Sequence, residues 1–181
     1  MSYTPDETCD PAWVVEVGVK ICDALAHEHA HWRWRHDLCP AKLLVVEAGG
    51  ELVRIELGPR DLRTDMDAAL ATPSYLAPER ACGLADDARS DLYAIGCILF
   101  ELVEDRPPFV AETLEDLVLK HVMVTPPRSR HAPPALAAII DCLLEKEPAY
   151  RYQTVGELRE ALEAARRAIA PEAAREVRSA A

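Results

Sequence analysis

Between Leu25 and Cys39 the chain gathers most of the side chains that could do chemistry, beginning with three histidines at His27, His29 and His31. His27 and His31 stand four apart, so on a helix they would share a face and could hold a zinc ion there. Just beyond, Trp32 and Trp34 alternate with Arg33 and Arg35, the one basic pattern that would suit a nucleic-acid strand. Thr64 is the sole hydroxyl between Gly58 and Thr72 and could accept a phosphate, although a solvated loop threonine is the plainer reading. Cys9, Cys22, Cys39, Cys82, Cys97 and Cys142 are scattered singly, with no Cys-x-x-Cys pair and no cysteine–histidine zinc spacing. They read as reduced thiols in a cytosol. No spacing suggests a Cys-His or Ser-His-Asp hydrolase.

Charge narrows the partners. The 181 residues carry a formal net charge of -11, which repels nucleic acid and anionic membrane from the molecule as a whole. At 50% hydrophobic and 28% charged, the composition is that of one soluble domain with a real core. No basic-then-apolar leader and no membrane-length apolar segment is read, so a cytoplasmic protein with neither nucleic-acid nor membrane partners is expected.

The elements that must position these residues are mostly helical. Asp10-Pro11 reads as a cap and first turn, followed by a helix over Pro11 to Ala30 with Val14, Val17, Ile21, Ala24 and Leu25 on one buried face. Leu43 to Val46 and Leu52 to Ile55 flank a Gly-Gly turn and predict a hairpin. No period of either kind runs from Glu56 to Thr72, and Pro73 and Pro78 predict that irregular chain continues beyond it. Ser90 to Val103 is apolar on every side, so it should run through the middle of the core. Downstream, Thr113 to Val122 predicts an amphipathic helix with Leu114, Leu117, Val118 and His121 on one side. A proline-rich loop follows from Thr125 to Pro134, then a helix from Ala135 to Glu145. Thr154 and Glu157 form a capping box for a last helix to about Ala168.

Ala71-Thr-Pro-Ser-Tyr-Leu-Ala-Pro-Glu-Arg80, Asp87 to Val103, Arg106-Pro-Pro-Phe109 and Glu147-Pro-Ala-Tyr-Arg-Tyr152 occur in an order that closely resembles Ser/Thr protein kinases, especially the bacterial receptor-type ones. The resemblance implies a mainly α fold: a protein-kinase-like large lobe with one small β-hairpin and the small N-terminal lobe absent. It divides the chain into a flexible segment 1–10, a lobe over 11–169 and a frayed or disordered tail over 170–181. It also implies structural roles for Glu79 paired with Arg151, and for Asp91 as acceptor of catalytic-loop backbone hydrogen bonds.

The same resemblance lays the catalytic loop on Arg35-His-Asp-Leu-Cys-Pro-Ala-Lys42. Asp37 keeps the position that takes the substrate hydroxyl proton, and Thr72 matches a threonine that contacts it. Cys39 stands where a phosphate-contacting lysine is usual, and Lys42 where an asparagine holds magnesium, so an ammonium would repel the metal. Glu56-Leu57-Gly58 falls on the Asp-Phe-Gly motif, its carboxylate displaced by a methylene. Because Ala26 to His29 resembles the usual lead into this loop, no zinc is expected there.

No Gly-x-Gly-x-x-Gly occurs. These losses imply a pseudokinase lobe serving as a regulatory or interaction module, with no cofactor expected. Association would use the face of Trp32, Trp34, Leu43, Leu44 and Leu57 that a small lobe would cover. The alternative is Ser/Thr kinase activity with ATP and magnesium, completed by a small lobe supplied in trans.

Overall fold

Capping chemistry starts the first helix where the sequence places it. In the computed structural model Asp10 Oδ1 accepts the Ala12 N–H at 3.0 Å, Pro11 fills the first turn, and α1 runs Pro11–Ala30. The described residues are 10–31, 33–35, 37–49, 51–59, 72–85 and 87–179, with the side chains of 170–179 outside that description. After α1 come β1 (Leu43–Ala48), β2 (Glu51–Leu57), α2 (Pro78–Ala81), α3 (Ala88–Glu104), α4 (Leu114–Met123), α5 (Pro134–Leu143) and α6 (Val155–Ser179). The fold is mainly helical with one two-stranded sheet among the described residues, as expected.

The core is organised around α3, where every residue from Ser90 to Phe100 is buried. Side chains such as Ile95, Ile98, Leu99 and Phe100 are fully enclosed, each stabilising the fold by roughly 1.5–3 kcal/mol. Gly96 sets the depth of the α3–α5 contact, because a Cβ there would lie 2.7 Å from Leu143 Cβ. Around α3, α1 contributes more than the expected stripe: Val15, Val19 and Cys22 are buried beside Val14, Val17, Ile21 and Leu25. It is covered on several sides, by α3, α6 and β2. Along α6, Val155, Leu158, Leu162, Ala165 and Ile169 repeat at helical spacing and close the same core.

The hairpin pairs β1 and β2 antiparallel, with Leu43 opposite Leu57 and Val45 opposite Ile55, and it carries a bulge between Val46 and Glu47. Both strands run past the sequence limits, and Gly49 takes a positive φ of 66° in the turn.

Three expectations need correction. Pro73 and Pro78 do not keep the chain irregular: each opens a helical turn, a 3-10 turn over Pro73–Tyr75 and α2 over Pro78–Ala81. At a first helical position the missing proline N–H has no partner to lose. On α4 only His121 of the expected apolar face is buried, while Leu114 is exposed. The helix packs at the periphery on α2 and the Pro73–Tyr75 turn, so its outer residues meet solvent. The last helix continues past Ala168 to Ser179, as its Ala-, Arg- and Glu-rich sequence favours.

The capping box forms with a shift. Glu157 N donates to Thr154 Oγ1 at 3.1 Å, and the Glu157 carboxylate accepts from Gln153 N at 2.8 Å, not from Thr154. Residues 1–9, Trp32, His36 and Thr64 lie outside the described residues. No helix among the described residues is long and apolar enough to cross a membrane.

Candidate active site

Asp91 sits in the first turn of α3, 1% exposed, facing the end of α1 and the loop beyond it. Its Oδ2 accepts the Arg35 backbone N–H at 2.8 Å and the His29 Nε2–H at 2.8 Å. The Trp34 ring stands edge-on to His29, with centroids 5.2 Å apart, and roofs this contact. A loop whose backbone is fixed by a buried carboxylate does not need a strand or helix of its own.

Asp37, two residues on, is 2% exposed. Arg35 Nε lies 3.4 Å from its Oδ1 and Lys42 Nζ 3.7 Å from its Oδ2. The same two cations reach the chain leaving β2: Arg35 Nη2 donates to Gly58 O at 2.7 Å and Lys42 Nζ to Pro59 O at 2.9 Å. Sequence proximity thus brings Arg35, Asp37 and Lys42 together, and the hairpin returns Gly58 to them.

Glu56 is not part of this group of contacts. Neighbouring strand residues point to opposite faces, and its carboxylate accepts from the Arg54 guanidinium on the exposed side of β2. Leu57 is half-buried and packs on the core with Leu43. Cys39 is buried, and burial, only partly offset by the nearby Lys42 and Ala41 amides, pushes its thiol above the ordinary range. It borders a hollow of about 340 Å³ with Thr72, Tyr75 and Glu101, across which Tyr75 donates to Glu101 Oε2 at 2.6 Å.

Below, α2 carries Glu79 into the core. Arg151 Nη1 and Nη2 donate to its two oxygens at 2.8 Å each, and Ser90 Oγ donates to Oε1 at 2.6 Å. Arg151 also donates to the Arg89, Glu145 and Lys146 carbonyls, so all five guanidinium N–H groups are used. Burial pushes the Glu79 carboxyl upward, yet the Arg151 guanidinium and Ser90 hydroxyl outweigh it and hold it below the usual range.

The family model of the protein kinase domain matches residues 4–164. The chain belongs to the protein kinase family, of the bacterial Ser/Thr type. It is similar to the serine/threonine-protein kinase PknB of Mycolicibacterium smegmatis, 33% identical over 159 residues covering 82% of this chain and 25% of that protein. Over 161 residues it is 32% identical to PknB of Mycobacterium tuberculosis, covering 82% and 25%. With PknB of Mycobacterium leprae it shares 31% over 163 residues, covering 85% and 26%. The chain therefore spans about a quarter of the length of these curated relatives.

Kinases use magnesium and ATP, and the resemblance assigns two positions of this chain to residues that would hold the metal. At one of these assigned positions Lys42 directs an ammonium at Asp37; at the other, the Glu56 carboxylate is turned outward onto Arg54. No group of three or more His, Cys, Asp or Glu residues suited to a metal occurs among the described residues, His27 and His31 included. His31 Nδ1 instead hydrogen-bonds with the His27 carbonyl at 2.8 Å.

Three contacts were not expected from the sequence: His29 with Asp91, Ser90 with Glu79, and Tyr75 with Glu101. His29 had a signal. It follows Ile21 and Leu25 at four-residue steps, so the buried face of α1 leads directly to it.

Proposed function

We propose that this kinase lobe is catalytically impaired and serves in the cytosol as a regulatory or protein-interaction module. One observation carries the reading: both metal-holding positions are rebuilt, with Lys42 presenting a cation to Asp37 and Glu56 engaged by Arg54 on the solvent side. Phosphoryl transfer depends on metal charge and on positioning of the phosphates, and these two changes remove both supports at once. Cys39 adds a third loss, since a buried neutral thiol offers no charge to a phosphate.

The described residues include a scaffold that presents a surface. On the hairpin Leu44, Val45 and Val53 are exposed, with the neighbours Leu44 and Val45 on opposite faces, and these apolar side chains support association with a protein partner or a second copy. Leu43 and Leu57 are half-buried against the core, and Trp34 is half-buried over His29, so the contact would centre on the outward side chains. Free Cys22, Cys39, Cys82, Cys97 and Cys142 suit a reducing compartment.

The test is a thermal melt with and without ATP and MgCl2, paired with light scattering. No nucleotide-dependent shift is expected, together with an association that Leu44→Asp and Val53→Asp weaken. A shift with MgATP would sink the impaired reading; a monodisperse monomer would sink self-association through the hairpin.

A second reading, phosphotransfer by this lobe completed by a small lobe from another chain, has one observation in its favour. Asp37 is held in a loop anchored at Arg35 N by Asp91. It requires that transfer by the mixed chains disappear in Asp37→Asn.

A further inference from the structure

Two basic side chains reach from the Asp37 loop to the segment leaving β2, and the backbone reinforces the joint. Gly58 N donates to Lys42 O at 2.8 Å, and a Cβ on Gly58 would stand 3.4 Å from that oxygen. Across this seam Arg35 lies against Asp37 Oδ1 and the Gly58 carbonyl, while Lys42 lies against Asp37 Oδ2 and the Pro59 carbonyl. Carboxylate and carbonyl oxygens are also the donor set a hard divalent ion would take. Here they are met by side-chain cations belonging to the chain.

We propose that Lys42 is a resident cation: its ammonium takes the charge-balancing place between Asp37 and the Pro59 carbonyl, joining the catalytic loop to the end of β2 without a divalent metal. The proposal rests on the reading that this lobe does not hold a metal–nucleotide complex, and it goes further by giving Lys42 a positive task. A tethered ammonium cannot dissociate or be removed by a chelator, and its three donors need no fixed coordination geometry. With the Lys42 side chain 29% exposed, an ion could approach the same oxygens from solvent, so exclusion is by charge and not by closure. Lys42 is thus a positioning residue, acting through Asp37 and the β2 exit.

The experiment uses the full chain and Mn2+ alone, without nucleotide, reading the melting midpoint and the EPR signal of free Mn2+. Wild-type protein should melt at the same temperature in EDTA and in millimolar Mn2+ at matched ionic strength, and should leave the free-ion signal intact. Lys42→Asp sets a second carboxylate facing Asp37. In EDTA it should melt below wild type, and Mn2+ should raise its midpoint by several degrees while binding about tenfold or more tightly than to wild type. Lys42→Met should melt below wild type and ignore Mn2+, having lost the tie without gaining a ligand.

A simple surface contact would leave Lys42→Asp as indifferent to Mn2+ as Lys42→Met. That outcome, or stoichiometric Mn2+ binding by wild type, overturns the proposal. Should Lys42→Asp fail to fold in EDTA, refolding in Mn2+ decides: recovery supports the resident cation, and no recovery while Lys42→Met folds overturns it. A wild-type shift with MgATP but none with Mn2+ alone would remove the impaired reading and leave the resident cation standing.

Discussion

Two glutamate–arginine pairs sit at opposite ends of the candidate site, and their differences show which parts of this lobe are free to change. Glu79 and Arg151 are 72 residues apart, meet through two 2.8 Å bonds, and are 6% and 0% exposed. Arg54 and Glu56 are two residues apart on one strand, 62% and 49% exposed. The first pair ties α2 to the chain before α6 and leaves no guanidinium N–H unpartnered. The second joins neighbours that the strand already holds together. Glu56 belongs to the hairpin rim, where a change disturbs few other contacts, whereas Lys42 spans from Asp37 to the Pro59 carbonyl. Glu79, Asp91 and Arg151 lie in the base, where any change leaves buried charge or backbone unsatisfied.

The largest expected effect is therefore at the base. Arg151→Ala strands the Glu79 carboxylate and three carbonyls, and should lower unfolding stability by about 3–5 kcal/mol in urea melts. A loss no larger than that of an exposed pair would break the contrast. Acid should act on the same bond. The Glu79 carboxyl titrates below its ordinary value when folded, so its contribution is present above that ordinary value and disappears as pH falls through the lowered one.

Asp91→Ala should come next, at about 2–3 kcal/mol, because it leaves the buried Arg35 N–H and His29 Nε2–H without their acceptor. Amide exchange should localise the damage: the Arg35 N–H should lose protection well before amides in the middle of α3. Equal loosening throughout would mean that Asp91 stabilises α3 itself and not the loop.

These residues also show what the sequence can and cannot reveal. The α3 core was legible because a run apolar on every side has nowhere else to go, and α1 and the hairpin because caps, periodicity and a Gly-Gly turn are local signals. The Glu79–Arg151 pairing became readable only through the family resemblance, since no local pattern joins residues 72 apart. The burial of α4 was misjudged because periodicity shows that a helix has an apolar face but not whether a partner covers it. Glu56 was placed at a metal position by alignment, yet strand alternation turns its side chain outward, which a position in a motif does not record. Lys42 as a bridge to Pro59 was invisible for another reason: it depends on where the hairpin closes.

A smaller effect, again at the base, comes from His121, which is fully buried on the inner side of α4. Its Nδ1 hydrogen-bonds with the Tyr93 hydroxyl at 3.0 Å, and Nε2 has no hydrogen-bond partner among the described residues. Burial, with the Lys146 ammonium adding to it, lowers its pKa to about 3. The unfolded chain takes up this proton near the ordinary imidazole value of 6.5 and the folded chain only near 3, so stability falls as pH drops between them. Wild type should lose up to about 1.4 kcal/mol per pH unit more than His121→Gln over the upper part of that window. Parallel pH profiles for the two proteins would show that the ring is not held neutral.

Glu56→Ala should have the smallest effect and gives the strictest test of the comparison. Its partner Arg54 is mostly in water, so losing the pair exposes no buried charge and should change stability by no more than about 0.5 kcal/mol. Backbone pairing of Leu44 with Glu56 persists without the side chain, so the hairpin register should survive, as should the Gly58 N–H bond to the Lys42 carbonyl. If Glu56 instead contributed a carboxylate to an ion held near Asp37, alanine would lower the melting midpoint in Mn2+ but not in EDTA. A loss that is equally small in both media keeps Glu56 on the rim, chemically like Glu79 but with little of the fold depending on it.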